Sequence, residues 1–255
     1  MGRNAQEPAM ARRLVIVTGA SSGVGYATVR RLVLNEGATV VAIGRRRMFR
    51  IESLANQVEP GRLSAFTGDM ASRDSANALI SKVVEQFGQV DGFVHAVNRA
   101  LKHTALEVSD GEFDLTMQVN VKSALYGVQA LAPHFRRQRK GVVVVYNPTP
   151  VETAAFVAAE AVYTASAHAL SALAAGWSRQ LEPYGVSVVE VAPPPVVEAT
   201  LALQPAHDQL LVESLRTGLF IPPKVESKTP ELALASTSDS PTVVREYGGL
   251  KLTSF

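Results

Sequence analysis

The sequence predicts an α/β fold, a doubly wound parallel sheet of the Rossmann type, in a single domain. Three observations carry this. Short β-branched runs alternate with longer stretches of helical period, the order that βαβ units produce. The first strand runs into a glycine-rich turn that opens the first helix. The 255 residues, 47% of them hydrophobic and without a compositional seam, suffice for one large core.

Taken in order, the strand candidates are residues 14–18, 39–43, 63–66, 92–97, 142–146 and 186–191. They read as near-continuous apolar runs, as strands covered by helices on both faces do, and six of them make the sheet. Helical period fills 24–35, 48–58, 73–87, 109–137 and 163–181. Gly37, Gly88, Gly141 and Gly185 suit helix stops, where the chain turns left-handed. After Pro193, Pro194 and Pro195 the pattern breaks. Residues 196–228 are expected to form a lid or loop beyond a strand's carboxyl end, where open α/β sheets bind ligands. A weak helix and a final strand at 242–247 complete the domain, 12–255, behind a flexible polar leader, 1–11.

Composition removes several classes of function. The 25 Lys plus Arg against 23 Asp plus Glu leave a net charge of +2, too little to draw in nucleic acid or an anionic membrane. Without Cys there is no disulfide framework, thiolate metal site or cysteine nucleophile. No apolar run approaches the roughly 18 residues that cross a bilayer, and the leader lacks a signal peptide's apolar core; a cytoplasmic location is expected. No HExxH, Walker loop or ordered Ser-His-Asp set occurs, and no metal is expected.

The chemistry starts at the turn Thr18-Gly19-Ala20-Ser21-Ser22-Gly23-Val24-Gly25. Glycines between a strand and a helix allow a tight bend and a close approach of backbone to a pyrophosphate, while the helix N-terminus offers unpaired N–H groups. The second strand ends in Arg45, Arg46 and Arg47, with no acid to accept the ribose 2′-hydroxyl of NAD; arginine instead pairs with the 2′-phosphate of NADP.

The segment TGASSGVG resembles the TGxxxGxG turn of the short-chain dehydrogenase/reductase family, and the resemblance runs from about residue 12 to about residue 200. It implies a Rossmann enzyme that moves a hydride between NADP(H) and the alcohol or carbonyl of a small molecule. Gly19, Ser21, Ser22, Gly23, Val24 and Gly25 would hold the cofactor, with Arg45 foremost and Arg46 next on the 2′-phosphate. Asp69, followed by Met70, resembles the family's adenine-holding Asp. Asn120, in QVNVKSALYG, resembles the active-site Asn embedded in a helix, expected to support a water relay. Tyr163, in VYTASAHAL, resembles the catalytic Tyr that opens a YxxxK motif. The resemblance also implies a homodimer or homotetramer packed through the 109–137 and 163–181 helices.

Elsewhere the family's pattern is broken. Its Lys, which tunes the Tyr phenol from one helical turn away, is Ala167 here; His168 follows, rotated off that face. Pro148 stands at its Ser position, with Thr149 or Asn147 as neighbouring polar substitutes. His95-Ala96-Val97-Asn98 replace NNAG, where bulk threatens to crowd the cofactor's track, and His95 reads equally as a core histidine or a ligand contact. The expected catalytic set is therefore Tyr163, Asn120 and Thr149, in an NADP(H)-dependent carbonyl reductase with an atypical active site. The alternative is the same fold without reductase activity, in a non-redox role or as a partner subunit.

Overall fold

A computed structural model describes residues 13–101, 104–147, 160–191, Leu215, 243–247 and 250–254. The elements run β1 (Leu14–Thr18), α1 (Gly23–Leu34), β2 (Thr39–Gly44), α2 (Phe49–Ala55), β3 (Leu63–Thr67), α3 (Arg73–Phe87), β4 (Gly92–His95) and α4 (Asp110–Met117). After a π-helical turn, Gln118–Lys122, come α5 (Ser123–Gln138), β5 (Gly141–Tyr146), α6 (Ala161–Leu181) and β6 (Val186–Val191). The predicted helix over 109–137 is thus one helical run interrupted by a π turn.

The six strands form one parallel sheet in the order β3-β2-β1-β4-β5-β6. The order reverses beside β1, where neighbouring connections leave on opposite faces and open a crevice at the strands' carboxyl ends. Thr18 is level with Ile43 on one side and His95 on the other, so the three exits lie side by side. Two buried apolar layers flank the sheet. Val15, Val17, Val40, Val142 and Val144 face α1 and α2, while Ile16, Val41, Phe93, Val143 and Val145 face α3, α5 and α6. Apolar side chains on both faces explain why the strands show continuous rather than alternating hydrophobicity.

Two expectations are corrected. Helix α5 ends in the left-handed region at Arg139 (φ 51°) rather than at Gly141. Gly141 instead opens β5, where the Phe135 ring fills its Cβ position, the nearest ring atom 2.5 Å away. The strand near 242–247 exists as β7 (Val243–Tyr247), but it pairs antiparallel with an unforeseen β8 (Leu250–Ser254), apart from the main sheet. The leader 1–11 and, Leu215 aside, the segment 196–228 lie outside the described residues.

Candidate functional site

The crevice has a backbone-built half. Gly19 takes φ 70°, and a Cβ there would lie 2.4 Å from the Ala96 carbonyl oxygen, so the turn meets the exit of β4 only because position 19 has no side chain. A Cβ on Gly25 would lie 2.3 Å from the Gly19 carbonyl oxygen, which sets α1 directly on the turn. Gly23, at φ 52°, faces open space, and Ser21 and Ser22 beside it are exposed. Val24 packs partly buried against the core. Ser22 stands at the N-cap in extended conformation, yet its hydroxyl accepts none of the helix's N–H groups. The first-turn donors and the positive end of the helix dipole are left for an anion.

At the end of β2, Arg47 folds onto Glu52, its Nε and Nη2 both 2.9 Å from carboxylate oxygens, with its guanidinium 4.7 Å from the centre of the Phe49 ring. Arg45 and Arg46 are exposed and make no side-chain hydrogen bond or ion pair among the described residues. Asp69 is half-buried beyond β3. Its Oδ1 accepts the Ala71 N–H at 2.9 Å, its own N–H donates to Ser75 Oγ at 3.0 Å, and Met70 is buried beneath. Uncapped helix donors, glycines without room for a side chain and unpaired arginines together suit the phosphates of a dinucleotide.

The other half is built from side chains. Asn120 sits in the π turn, where one extra residue per turn breaks the regular ladder. Its Oδ1 accepts the Arg99 N–H at 2.7 Å, and its Nδ2 donates to the Arg99 carbonyl (3.1 Å) and to Ser166 Oγ (2.9 Å). Both amide protons are therefore taken by protein acceptors, and Asn120 clamps the loop after β4 to α6. Ser166 in turn donates to the Tyr163 carbonyl at 2.7 Å.

Tyr163 is buried in the first turns of α6, and its phenol oxygen accepts a hydrogen bond from Asn98 Nδ2 at 2.9 Å. Burial pushes the phenol above its usual pKa, the Asn98 donor pulls it back, and the charge of Glu160 raises it further. Ala167, one turn along, is buried, and its carbonyl accepts from Asn147 Nδ2 at 2.9 Å. His168 is exposed and donates from Nδ1 to the Thr164 carbonyl at 2.9 Å, away from the phenol's face. Asn147 Nδ2 also lies 2.6 Å from Glu190 Oε1, which Ser171 contacts too, while the buried Glu190 Oε2 has no partner among the described residues. Pro148 and Thr149 lie outside the described residues.

His95 resolves as a core histidine. It is fully buried, with Thr18 Oγ1 at 3.1 Å from Nδ1 and Ser123 Oγ at 3.3 Å from Nε2. Because Ser123 donates to the Val119 carbonyl, its oxygen is left to accept from Nε2–H, and Thr18 donates to Nδ1. Burial lowers the imidazole pKa to about 3, so the ring is neutral. Asn98 is the site residue that sequence reasoning missed. In the sequence it stands out only as bulk in the cofactor's track, an amide where a small residue is expected.

The comparisons with known proteins agree with this fold. Residues 13–209 match the family model described as short chain dehydrogenase. An uncharacterized oxidoreductase of Staphylococcus haemolyticus is 31% identical over 183 residues, 71% of this chain and 77% of that protein. One of Staphylococcus saprophyticus is 29% identical over 164 residues, 64% of this chain and 65% of that protein, so the chain spans just under two thirds of its length. A metagenomic short-chain oxidoreductase solved in complex with NADP superposes with a TM-score of 0.70 at 24% identity, covering 82% of this chain and 92% of its own. No helix among the described residues is long and apolar enough to cross a membrane.

Proposed function

The chain belongs to the short-chain dehydrogenase family, and from that premise we propose that it is an NADP(H)-dependent oxidoreductase that reduces a carbonyl, or oxidises the corresponding alcohol, on a small molecule. The observation that carries this is the buried Tyr163 phenol held by Asn98 at 2.9 Å. Family members use a nicotinamide cofactor, which supplies or accepts the hydride when bound. Gly19, Ser21, Ser22, Gly23, Val24 and Gly25 would hold its pyrophosphate, Asp69 and Met70 its adenine end, and Arg45 and Arg46 the 2′-phosphate. A structural neighbour was solved in complex with NADP.

Tyr163 donates its proton to the substrate oxygen in reduction. Asn98 occupies one lone pair of the phenol oxygen as a donor, which leaves the phenol O–H free to point at substrate and stabilises the phenolate that forms. In this role Asn98 takes over part of the tuning that Lys gives the family, since position 167 is Ala. Asn120 keeps Asn98 in place by holding the next residue's backbone to α6. Thr149 is the proposed polar contact to the substrate carbonyl. A homodimer or homotetramer through the 109–137 and 163–181 helices completes the reading, supported by the exposed Phe113 and Leu115 on α4.

A second reading, a non-redox or partner-subunit role, is favoured by one observation: among the described residues no cation hydrogen-bonds to the Tyr163 phenol. A thermal-shift titration followed by a carbonyl panel decides between them. NADPH, and not NADH, is expected to raise the melting temperature by mass action, and NADPH oxidation is expected with at least one carbonyl. Tyr163→Phe is expected to cut turnover by about 10²- to 10⁴-fold while leaving the shift intact. Cofactor binding without turnover on any carbonyl overturns the reductase reading in favour of the second.

A further inference from the structure

Beside Asn98 stands Arg99, whose side chain none of the steps above uses. Its backbone is fixed: the N–H and the carbonyl are both held by Asn120, at 2.7 and 3.1 Å, and Asn120 is tied to Ser166 on the Tyr163 helix. The residue before it touches the phenol itself. The Arg99 backbone is therefore fixed beside the residue that touches the phenol.

Its guanidinium is incomplete. Nε is shut off from solvent with no hydrogen-bond acceptor, and the side chain makes no hydrogen bond or ion pair among the described residues. Other arginines of this chain find carboxylates: Arg13 lies 3.1 Å from Asp91, Arg31 2.8 Å from Glu36 and Arg47 2.9 Å from Glu52. Arg45 and Arg46, which find none among the described residues, are exposed. Arg99 combines partial burial with no partner, and a sunken guanidinium N–H calls for an acceptor. The planar fork of arginine matches a carboxylate or phosphate in two parallel hydrogen bonds.

We propose that Arg99 anchors an anionic group of the substrate, so that the enzyme acts on carbonyl compounds or alcohols bearing a carboxylate or phosphate near the reacting carbon. This rests on the oxidoreductase reading of the same site. Asn98 and Arg99 then divide the work between adjacent residues. Asn98 sets the proton donor, and Arg99 sets the substrate's register against it.

The test uses the full chain, NADPH, and matched pairs of 2-keto and 3-keto acids with their neutral methyl esters. Wild type is expected to prefer the acids by about 10- to 100-fold in kcat/KM, the worth of one or two charge-assisted hydrogen bonds. Arg99→Gln is expected to lose that preference through KM, with NADPH affinity and melting temperature unchanged. Arg99→Lys, which keeps the charge without the fork, is expected to retain part of it. Equal use of acids and esters by wild type, or a preference that survives in Arg99→Gln, overturns the proposal. So does a loss of NADPH affinity in Arg99→Gln, which would assign the anion to the cofactor. If no carbonyl turns over, thermal shift of the NADP⁺-saturated protein by the same acids still reads Arg99. A shift that Arg99→Gln abolishes sustains the anchor while the redox reading falls, and no shift overturns both.

Discussion

The two halves of the crevice are built by different means. On the β1–α1–β2 side the shape is made by backbone: Gly19 and Gly25 leave room that neighbouring main chain fills, and the donors are N–H groups of a helix whose N-cap hydroxyl does not use them. On the β4–α6 side it is made by side chains meeting across the fold, Asn98 with Tyr163 and Asn120 with Arg99 and Ser166. A backbone-built surface tolerates few residue types but does not depend on which polar atoms lie nearby. A side-chain-built one can exchange partners. The side-chain-built half of this chain accordingly carries Ala167 and Asn98 while the cradle is built on its glycines.

The sharpest way to break that contrast is to add one carbon to the cradle. Gly19→Ala combines a left-handed φ with a Cβ 2.4 Å from the Ala96 carbonyl oxygen. The expected cost is about 3 kcal/mol, a fall in melting temperature of about 6–12 °C for a chain of this size. Binding of NADPH should be lost with it. Gly23→Ala meets nothing within 4 Å and carries only the dihedral cost, about 1 kcal/mol. Denaturation curves of the two variants check this; equal effects would mean that the contact with β4 does not shape the turn.

A smaller effect is expected from the side-chain half. The Tyr163 phenol has a raised pKa, so its acid form persists through neutral pH and carbonyl reduction should be flat there. Alcohol oxidation needs the phenolate and should climb with pH toward that pKa. Asn98 donates to the phenol oxygen and favours the phenolate, so Asn98→Ala should push the climb to higher pH and lower turnover by about 10- to 100-fold. Melting temperature should hardly move, because Asn98 is exposed. An unshifted pH profile would make Asn98 a bystander.

The same contrast explains what could be read in advance. The six strands, their order of alternation with helices and the glycine turn follow from patterns within a few residues of one another, so they were legible. The meeting of Asn98 with Tyr163 joins positions 65 apart, and no local pattern encodes it. The π turn at Asn120 was hidden because one extra residue leaves the surrounding helical period nearly intact. At the end of α5 the preference of glycine for left-handed backbone pointed to Gly141, but packing of the Phe135 ring claimed that position and left Arg139 to turn the chain.

His95 gives the mildest test, because it lies in the side-chain-built half yet belongs to the core. Burial lowers its pKa from 6.5 to about 3, so below pH 6.5 the unfolded chain takes up a proton that the folded chain refuses. The stability that neutral His95 provides is whole above pH 6.5 and is lost progressively as pH falls toward about 3, at up to about 1.4 kcal/mol per pH unit. The depressed Asp91 carboxyl loses its contribution only below its ordinary value of 3.8, outside the window from pH 6.5 to 4.5. His134, lowered by burial first and by Arg137 second, adds a smaller share in the same sense. His95→Gln should lower stability at pH 7.5 by about 1–3 kcal/mol, through loss of the Thr18 and Ser123 hydrogen bonds, while flattening the acid slope. Urea denaturation at pH 7.5, 6.5, 5.5 and 4.5 reads both effects. A slope unchanged in the variant would place the acid-sensitive proton on another group and reopen His95 to a role at the ligand.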